Sequence, residues 1–589
     1  MIEELHRQDL RPAGKAVTIA AMTMAQTYQG FRLSIENKQD WVLGKILELR
    51  ARTHADKPFL QYMEQPAHTF AEVNKTVNRV ARGLADLGMR KGDRVLLMLP
   101  QCLEYLYAWW GANKLGAIEV PINTAYKGYF IEHLANNSAA KVMVIDQSFV
   151  EHLQFSEERL QHLEKVVIYS GDGTAPDKLP RFKRLEVLPF ESLYARDDTN
   201  PGIDVRYNDL AAIMYTSGTT GPSKGVMMPH AQCYFFSEQD VNLLHLTSDD
   251  IYYTCNPFFH ANAQLLTIYP CLIVGAKVAV YPFFRASEWI DQIRKSRATV
   301  ANFLGVMMDF VYRQPRRPDD KDNNLRALFA APTPPSIVDD FKRRFGIEAT
   351  VECYGMTEIC MPIMLPYGEY RPGAAGKLLS DWFEARIVDP ETDEELPVGT
   401  IGEFIVRHKE PWTLNAGYFG MPDKTAEAYR NLWFHSGDGV KRDADGFYYF
   451  IDRIKDALRR RGENISSYEV EKVINDNPAV AESAVIAIKS DIPGGEDEVK
   501  ACVILKAGAK LEPKGLLQWC EERMPYFAVP RYLEFMAELP KTPNLKIQKQ
   551  KLRDAGLTPA TWDRVKAGFK LAEEIKREER KRQPAAQQH

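Results

Sequence analysis

A chain of 589 residues, 45% hydrophobic and 26% charged, is too long for one ordinary core and too evenly mixed for a disordered or fibrous protein, so two or more soluble globular domains are expected. A net charge of −4 and a pI near 6.4 argue against a nucleic-acid surface. The eight cysteines (102, 233, 255, 271, 353, 360, 502 and 520) form no CxxC pair and no His/Cys cluster at zinc spacing; they read as buried thiols of a reducing, cytoplasmic setting.

Residues 1–39 read as an N-terminal extension. The apolar stretch at 16–25 lies behind Glu3, Glu4 and Asp9, which spoil the basic leader of a secretory signal. Strands are expected at 95–99, 117–120, 140–145, 166–169, 277–281 and 299–304, with a helix at 103–115. This alternation predicts an α/β fold with largely parallel sheets and helices on their faces. The most apolar long window, 265–284, contains Pro270, Gly275 and Lys277, so it reads as helix, turn and strand rather than a membrane span. After Gly376 the strands become short and turn-punctuated, at 384–388 and 402–407 for example, a β-barrel-like texture. The charged run 452–456 follows the apolar strand 447–451 and precedes a new helix–strand series, marking a boundary. The expected organisation is a large domain at 40–451, a hinge at 452–456, a small α+β lid at 457–556 and a solvated charged tail at 557–589.

The most informative stretch is Tyr215-Thr216-Ser217-Gly218-Thr219-Thr220-Gly221-Pro222-Ser223-Lys224-Gly225. Glycines let backbone N–H groups approach anionic oxygens, the hydroxyls add donors and Lys224 adds charge, which is the chemistry of a polyphosphate cradle. It is not a Walker A loop, because Ser223 stands where that loop needs glycine and no amphipathic helix follows. Apolar stretches at 210–215 and 225–228 flank it, predicting a hairpin over the phosphates of a nucleoside triphosphate.

This string closely resembles the phosphate-loop signature of adenylate-forming enzymes, the group that holds acyl-CoA synthetases, adenylation domains and firefly luciferase. Tyr354-Gly355-Met356-Thr357-Glu358, Trp433-Phe434-His435-Ser436-Gly437-Asp438 and Asp452-Arg453-Ile454-Lys455-Asp456 resemble further motifs of the family in the expected order, so the resemblance spans roughly 40–556. Arg461-Gly462-Glu463-Asn464-Ile465-Ser466 is most similar to the crotonobetaine/carnitine-CoA ligase branch.

The resemblance implies an ATP-dependent acid:CoA ligase that forms an acyl adenylate and then a thioester, using ATP, Mg²⁺ and coenzyme A. Both partners of the first step are anions, so charge neutralisation must dominate. In the implied roles, Thr216, Ser217, Gly218, Thr219, Thr220, Gly221 and Lys224 hold the phosphates. Glu358, with Thr216, holds magnesium; Thr357 faces the α-phosphate. Tyr354 and Gly355 form one wall of the adenine slot and the Ala331-Pro332 turn the other. Asp438, with Arg453, takes the ribose. Lys546 bridges the attacking carboxylate and the α-phosphate. Leu545 precedes it where the family has glycine, and Lys549 stands where arginine is common. Asp452 is the hinge pivot, Gly462 lines the pantetheine channel, and the cluster Arg459, Arg460 and Arg461 meets the CoA phosphates. His260 gates an acyl pocket walled by 302–307 and 360–362, with Gly305 leaving space for an apolar acid of moderate bulk.

Three alternatives stay open from the residues: transfer of the adenylate to a carrier protein, a non-catalytic nucleotide-binding relative, and a luciferase-like oxygenase. The acid is not named by the sequence, neither nucleic acid nor a membrane span is expected as a partner, and a homodimer is left open.

Overall fold

The computed structural model describes residues 26–171, 179–216, 222–453, 458–461, 463–490, 496–541 and 547–576, with the backbone alone at 306, 452, 453, 459, 464 and 468. Three seven-stranded sheets build the large body. The first runs Glu186–Pro189, Lys165–Tyr169, Val142–Asp146, Arg94–Met98, Ile118–Pro121, Leu210–Thr216 and Lys224–Pro229. Its neighbours are parallel until the last pair, which is an antiparallel hairpin. Strands such as Val142–Asp146 are buried along their whole length, as strands covered by helices on both faces must be.

The second sheet runs Ala349–Val351, Ala327–Ala331, Val300–Leu304, Ile251–Thr254, Lys277–Val280, Pro58–Tyr62 and His68–Thr69, parallel apart from its final pair. The apolar window 265–284 enters it as expected. A π-turn (Gln264–Ile268) and a helix (Tyr269–Val274) end on Gly275 at φ +80°, and the strand Lys277–Val280 follows. Among the described residues no helix is long and apolar enough to cross a membrane.

The third sheet is antiparallel and contains the turn-punctuated strands expected after Gly376. Its order is Cys353–Met356, Cys360–Met364, Gly376–Leu378, Phe447–Arg453, Phe434–Arg442, Gly402–His408 and Phe383–Val388.

Helix His230–Leu244 runs through the body and is buried on nearly every side, including its polar residues Gln232, Glu238, Gln239 and Asp240. Buried amides must find partners, and these bind the third sheet: Gln239 Nε2 donates to the Met361 carbonyl (2.6 Å) while its Oε1 accepts from the Met361 N–H (3.0 Å). The segment from residue 26 also belongs to this body. Ser34 donates to Glu238 (2.7 Å) and Trp41 stacks on Tyr234 at 4.6 Å.

The lid is a smaller α+β unit whose sheet runs Val480–Ile488, Glu498–Leu505, Tyr532–Phe535 and Trp562–Asp563, flanked by helices Ser467–Asn475 and Pro513–Arg523. Residues 557–576 were expected to begin a solvated tail; they add the strand Trp562–Asp563, bury Leu571 in the lid core and lock Arg564 onto Glu574 at 2.8 Å through both terminal nitrogens. Phe130 of the large body sits in that same core, and Lys127 Nζ donates to the Glu521 carbonyl (3.2 Å), so the lid is docked on the 125–130 segment.

Candidate active site

The phosphate hairpin brings Thr216 and Lys224 opposite each other in register, with Tyr215 opposite Gly225. A Cβ at Gly225 would lie 2.7 Å from Ile213 Cγ2, so a larger residue there would have to displace that side chain. Ser217, Gly218, Thr219, Thr220 and Gly221, at the tip, lie outside the described residues.

Thr216 ends its strand with Oγ1 donating to Glu358 Oε1 at 3.2 Å, and the Tyr418 hydroxyl donates to the same oxygen at 3.1 Å. Lys224 Nζ stands 4.3 Å above the Tyr418 ring, a cation–π placement. Burial first, and then Glu358, push the Tyr418 phenol far above its ordinary range, so it stays a donor. Two distant parts of the chain thereby fix one carboxylate that is only 3% exposed.

The Tyr354–Glu358 turn is itself held from behind. Gln232 Nε2 donates to the Thr357 carbonyl (2.9 Å), and Asn415 Nδ2 to the Glu358 carbonyl (2.8 Å). Gly355 sits at a bulge where an added Cβ would be 2.0 Å from the Cys360 carbonyl oxygen, a spacing that any side chain would destroy.

Tyr354 is 8% exposed and packs against Phe404 and Phe450, and its hydroxyl donates to Asp438 Oδ2 (2.8 Å). Asp438 is aligned by register with Arg453, and Gly439 with Asp452. The turn before Asp438 is braced by Glu403, which accepts the Gly437 N–H (3.0 Å), faces His435 Nδ1 (3.1 Å) and is paired with Arg430 (2.9 Å). Asp393, Glu403 and His435 lie close enough to suggest a metal group, but Arg430 already supplies the positive charge there, and the cluster reads as scaffolding.

Thr216, Lys224, Thr357, Glu358, Glu403, Tyr418 and Gly437 line one cavity of about 550 Å³, whereas the buried side chains of Tyr354 and Asp438 are not among its lining. The cavity is lined by the polar or backbone groups of Thr216, Lys224, Gly355, Thr357, Glu358 and Gly437 and by the apolar side chains of Phe236, Phe259, Leu266, Leu304, Phe329, Met356 and Met361. Ala331 and His260 line it as expected. Gly305 does not widen it: a Cβ there would lie 2.0 Å from the Pro332 carbonyl oxygen, so the glycine allows close backbone packing of the Ala331-Pro332 turn. Asn302 is likewise tied up, donating to the Leu266 carbonyl and Thr267 (3.1 Å each).

The lid reaches the same cavity through the hairpin Leu458–Arg460 and Glu463–Ile465. Glu463 lines the cavity and its Oε1 is 3.1 Å from His260 Nε2. The basic cluster expected on the hairpin is corrected. Arg460 is 3% exposed, donates to the carbonyls of Phe527 and Val529, and pairs with Glu498 (2.7 Å); burial lowers its pKa to about 10. Arg461 pairs with Glu574 (2.8 Å) beneath the Tyr526 ring. Arg459 is placed in the first strand. Gly462 and Lys546 lie outside the described residues.

The family model described as AMP-binding enzyme matches residues 47–419. The chain belongs to this family. The model of the AMP-binding enzyme C-terminal domain matches residues 469–546, within the lid. Among curated relatives, crotonobetaine/carnitine–CoA ligase of Salmonella enteritidis PT4 is 31% identical over 490 residues, covering 82% of this chain and 93% of the relative. Among solved structures, the anthranilate CoA ligase AuaEII in complex with anthranoyl-AMP aligns with a TM-score of 0.65 at 27% identity, over 89% of this chain and 99% of that one. ATP-bound MatB from Rhodopseudomonas palustris aligns with a TM-score of 0.62 at 28% identity, over 86% and 98%.

Tyr418, Gln232 and Glu403 were missed by sequence reasoning. Gln232 lies on a helix buried on nearly all sides, where amphipathic patterning is silent; Tyr418 carries no motif, and only its closeness to the Glu358 turn in space marks it. Tyr418→Phe removes one hydrogen bond to a carboxylate, a contact of about 1.5–3 kcal/mol, so acid-dependent pyrophosphate–ATP exchange is expected to fall roughly ten-fold or more with the circular dichroism spectrum unchanged. Gly355→Ala is expected to cost more in the same exchange assay, because it displaces the strand pair that carries Glu358.

Proposed function

We propose that this enzyme is an AMP-forming carboxylic acid:CoA ligase, which activates an acid with ATP, releases pyrophosphate and passes the acyl group to the coenzyme A thiol. The observation that carries the proposal is the shared cavity, lined by a hydroxyl, an ammonium and a fixed carboxylate together with a set of apolar side chains, and reached by a hairpin of the lid.

In the first half-reaction a carboxylate attacks the α-phosphorus of ATP, and both are anionic. Lys224 offsets phosphate charge, Thr216 and the hairpin donate to phosphoryl oxygens, and Asp438 accepts from the ribose hydroxyls. Glu358 and Thr216 present oxygen donors only, the set that suits a hard cation, and these residues would hold Mg²⁺. When bound, the ion neutralises charge on the phosphates. Lys546 reaches the forming bond from the lid, and Asp452 is the pivot about which the lid turns.

In the second half-reaction the thiol needs a path to the adenylate. The His260–Glu463 contact, with the docking of the lid on residues 125–130, supports an arrangement in which the 458–465 hairpin lines that path, with Gly462 leaving room for pantetheine and Arg459 and Arg461 available to the CoA phosphates once Arg461 leaves Glu574. The acid fills the pocket of Phe236, Phe259, Leu266, Leu304, Phe329 and Met361, which suits an apolar group of moderate bulk.

A panel of aromatic, branched and short-chain acids assayed for pyrophosphate release is expected to give turnover with a subset of apolar acids. Release with none of them refutes the ligase function, and thioester formation on a holo-carrier protein but not on coenzyme A refutes the acceptor. Lys546→Ala is expected to lower adenylation by about three orders of magnitude, the scale of a lost transition-state charge contact, with far less change in ATP binding measured by calorimetry. Gly462→Leu is expected to spare pyrophosphate exchange and block thioester formation; equal loss of both refutes the channel role.

A further inference from the structure

The lid and the phosphate hairpin are joined by a buried pair. Glu469 is the third residue of helix Ser467–Asn475, and its N–H donates to the N-cap Ser466 Oγ (3.4 Å). A glutamate at this place usually turns back to the N-cap backbone. The Glu469 carboxylate crosses instead to the large body, where Oε1 accepts from the Ser223 N–H (2.9 Å) and from its hydroxyl (2.5 Å). Each residue is 1% exposed. Ser223 directly precedes Lys224, and its carbonyl contacts His133 Nε2 at 2.7 Å. Both hydrogen bonds to the Ser223 N–H and hydroxyl exist only in this lid position, so the contact specifies one orientation of the lid.

We propose that Glu469 is a positioning residue for the thiol-transfer half-reaction: by gripping Ser223 it docks the lid in the orientation that brings Glu463 to the cavity. This rests on the ligase function above.

Protonation tunes the grip. Burial raises the docked Glu469 carboxyl to about 7, against the lowering effect of the Ser223 hydroxyl and N–H. With the lid swung away, the carboxyl meets water and titrates in the ordinary glutamate range. A pKa raised on docking favours the docked state at low pH, and that contribution is lost as pH rises through about 7. The other titratable groups around it are Tyr126 on the body, whose phenol is raised by burial and by both Glu469 and Glu463; His133 beyond Ser223, lowered by burial; and Lys224 next along the strand.

The test uses the full-length protein in two assays, acid-dependent pyrophosphate–ATP exchange and CoA-dependent AMP formation, with ATP, magnesium and an acid from the panel. Glu469→Ala is expected to lower the CoA-dependent step about ten-fold, the scale of a lost charged hydrogen bond, and to change exchange less than about two-fold. Ser223→Ala combined with Glu469→Ala is expected to add nothing to the worse single variant in the CoA-dependent step. Glu469→Gln, which resembles the protonated carboxyl, is expected to keep the rate and weaken its fall above pH 7. Hydrogen exchange without ligands supplies an independent readout, in which the Ser223 amide loses protection in Glu469→Ala and keeps it in Glu469→Gln. Equal loss in both half-reactions, additive losses, or an unchanged Ser223 amide in Glu469→Ala overturns the proposal. Lost amide protection in a protein that activates no acid leaves the contact standing but removes the ligase function, and with it the role.

Discussion

The three oxygens that meet at Glu358 tie the molecule together. Thr216 comes from the end of a strand in a largely parallel sheet, Glu358 from a turn of the antiparallel sheet, and Tyr418 from the segment that bridges to the phosphate hairpin at Val226. A carboxylate almost closed to water must be hydrogen-bonded to be tolerated, so this contact also ties two sheets together. Lys224 over the Tyr418 ring adds a cation at the same junction.

The buried helix His230–Leu244 makes that junction rigid. It carries amides where a purely structural core helix would carry apolar groups, and each amide described above is spent on the backbone of the third sheet near the site: Gln232 on Thr357 and Gln239 on Met361. Hydrogen bonds made inside a core favour the arrangement that forms them over its competitors. The wall of the cavity is therefore positioned from inside the body, independently of any bound ligand.

The lid is joined to this rigid frame differently. Its contacts with the body combine an apolar seat at Phe130 with polar links at Lys127–Glu521, His260–Glu463 and Ser223–Glu469. Each such hydrogen bond has a net strength of about 1 kcal/mol, since its partners can bond to water when the two units part, so a few of them choose an orientation without making it permanent. A boundary of that strength is compatible with the lid movement proposed above.

Much of the fold was legible in the sequence because burial on both faces leaves continuous apolar runs. The strands Arg94–Met98, Lys165–Tyr169 and Val300–Leu304 lie within a residue or two of their expected bounds, and the window around Gly275 folds as helix, turn and strand. The motif residues Thr216, Glu358, Lys224, Ala331 and His260 converge on one cavity, since a local pattern of hydroxyls, glycine and charge is written contiguously. Other features depend on partners far away in sequence. Arg460 looks like one of three equivalent surface arginines until the lid core closes around it, Gly305 looks like open space until the Pro332 carbonyl packs against it, and residues 557–576 look like a solvated tail until Trp562–Asp563 pairs with the lid sheet. Linear sequence thus determined the strand and helix pattern and the chemistry carried by the motifs, because both arise from neighbours a few residues apart. Tertiary structure alone decided which of those groups are spent on packing, which face the cavity, and that Ser223 is held by a glutamate 246 residues away, because desolvation and hydrogen-bond partnership are set by distances in space.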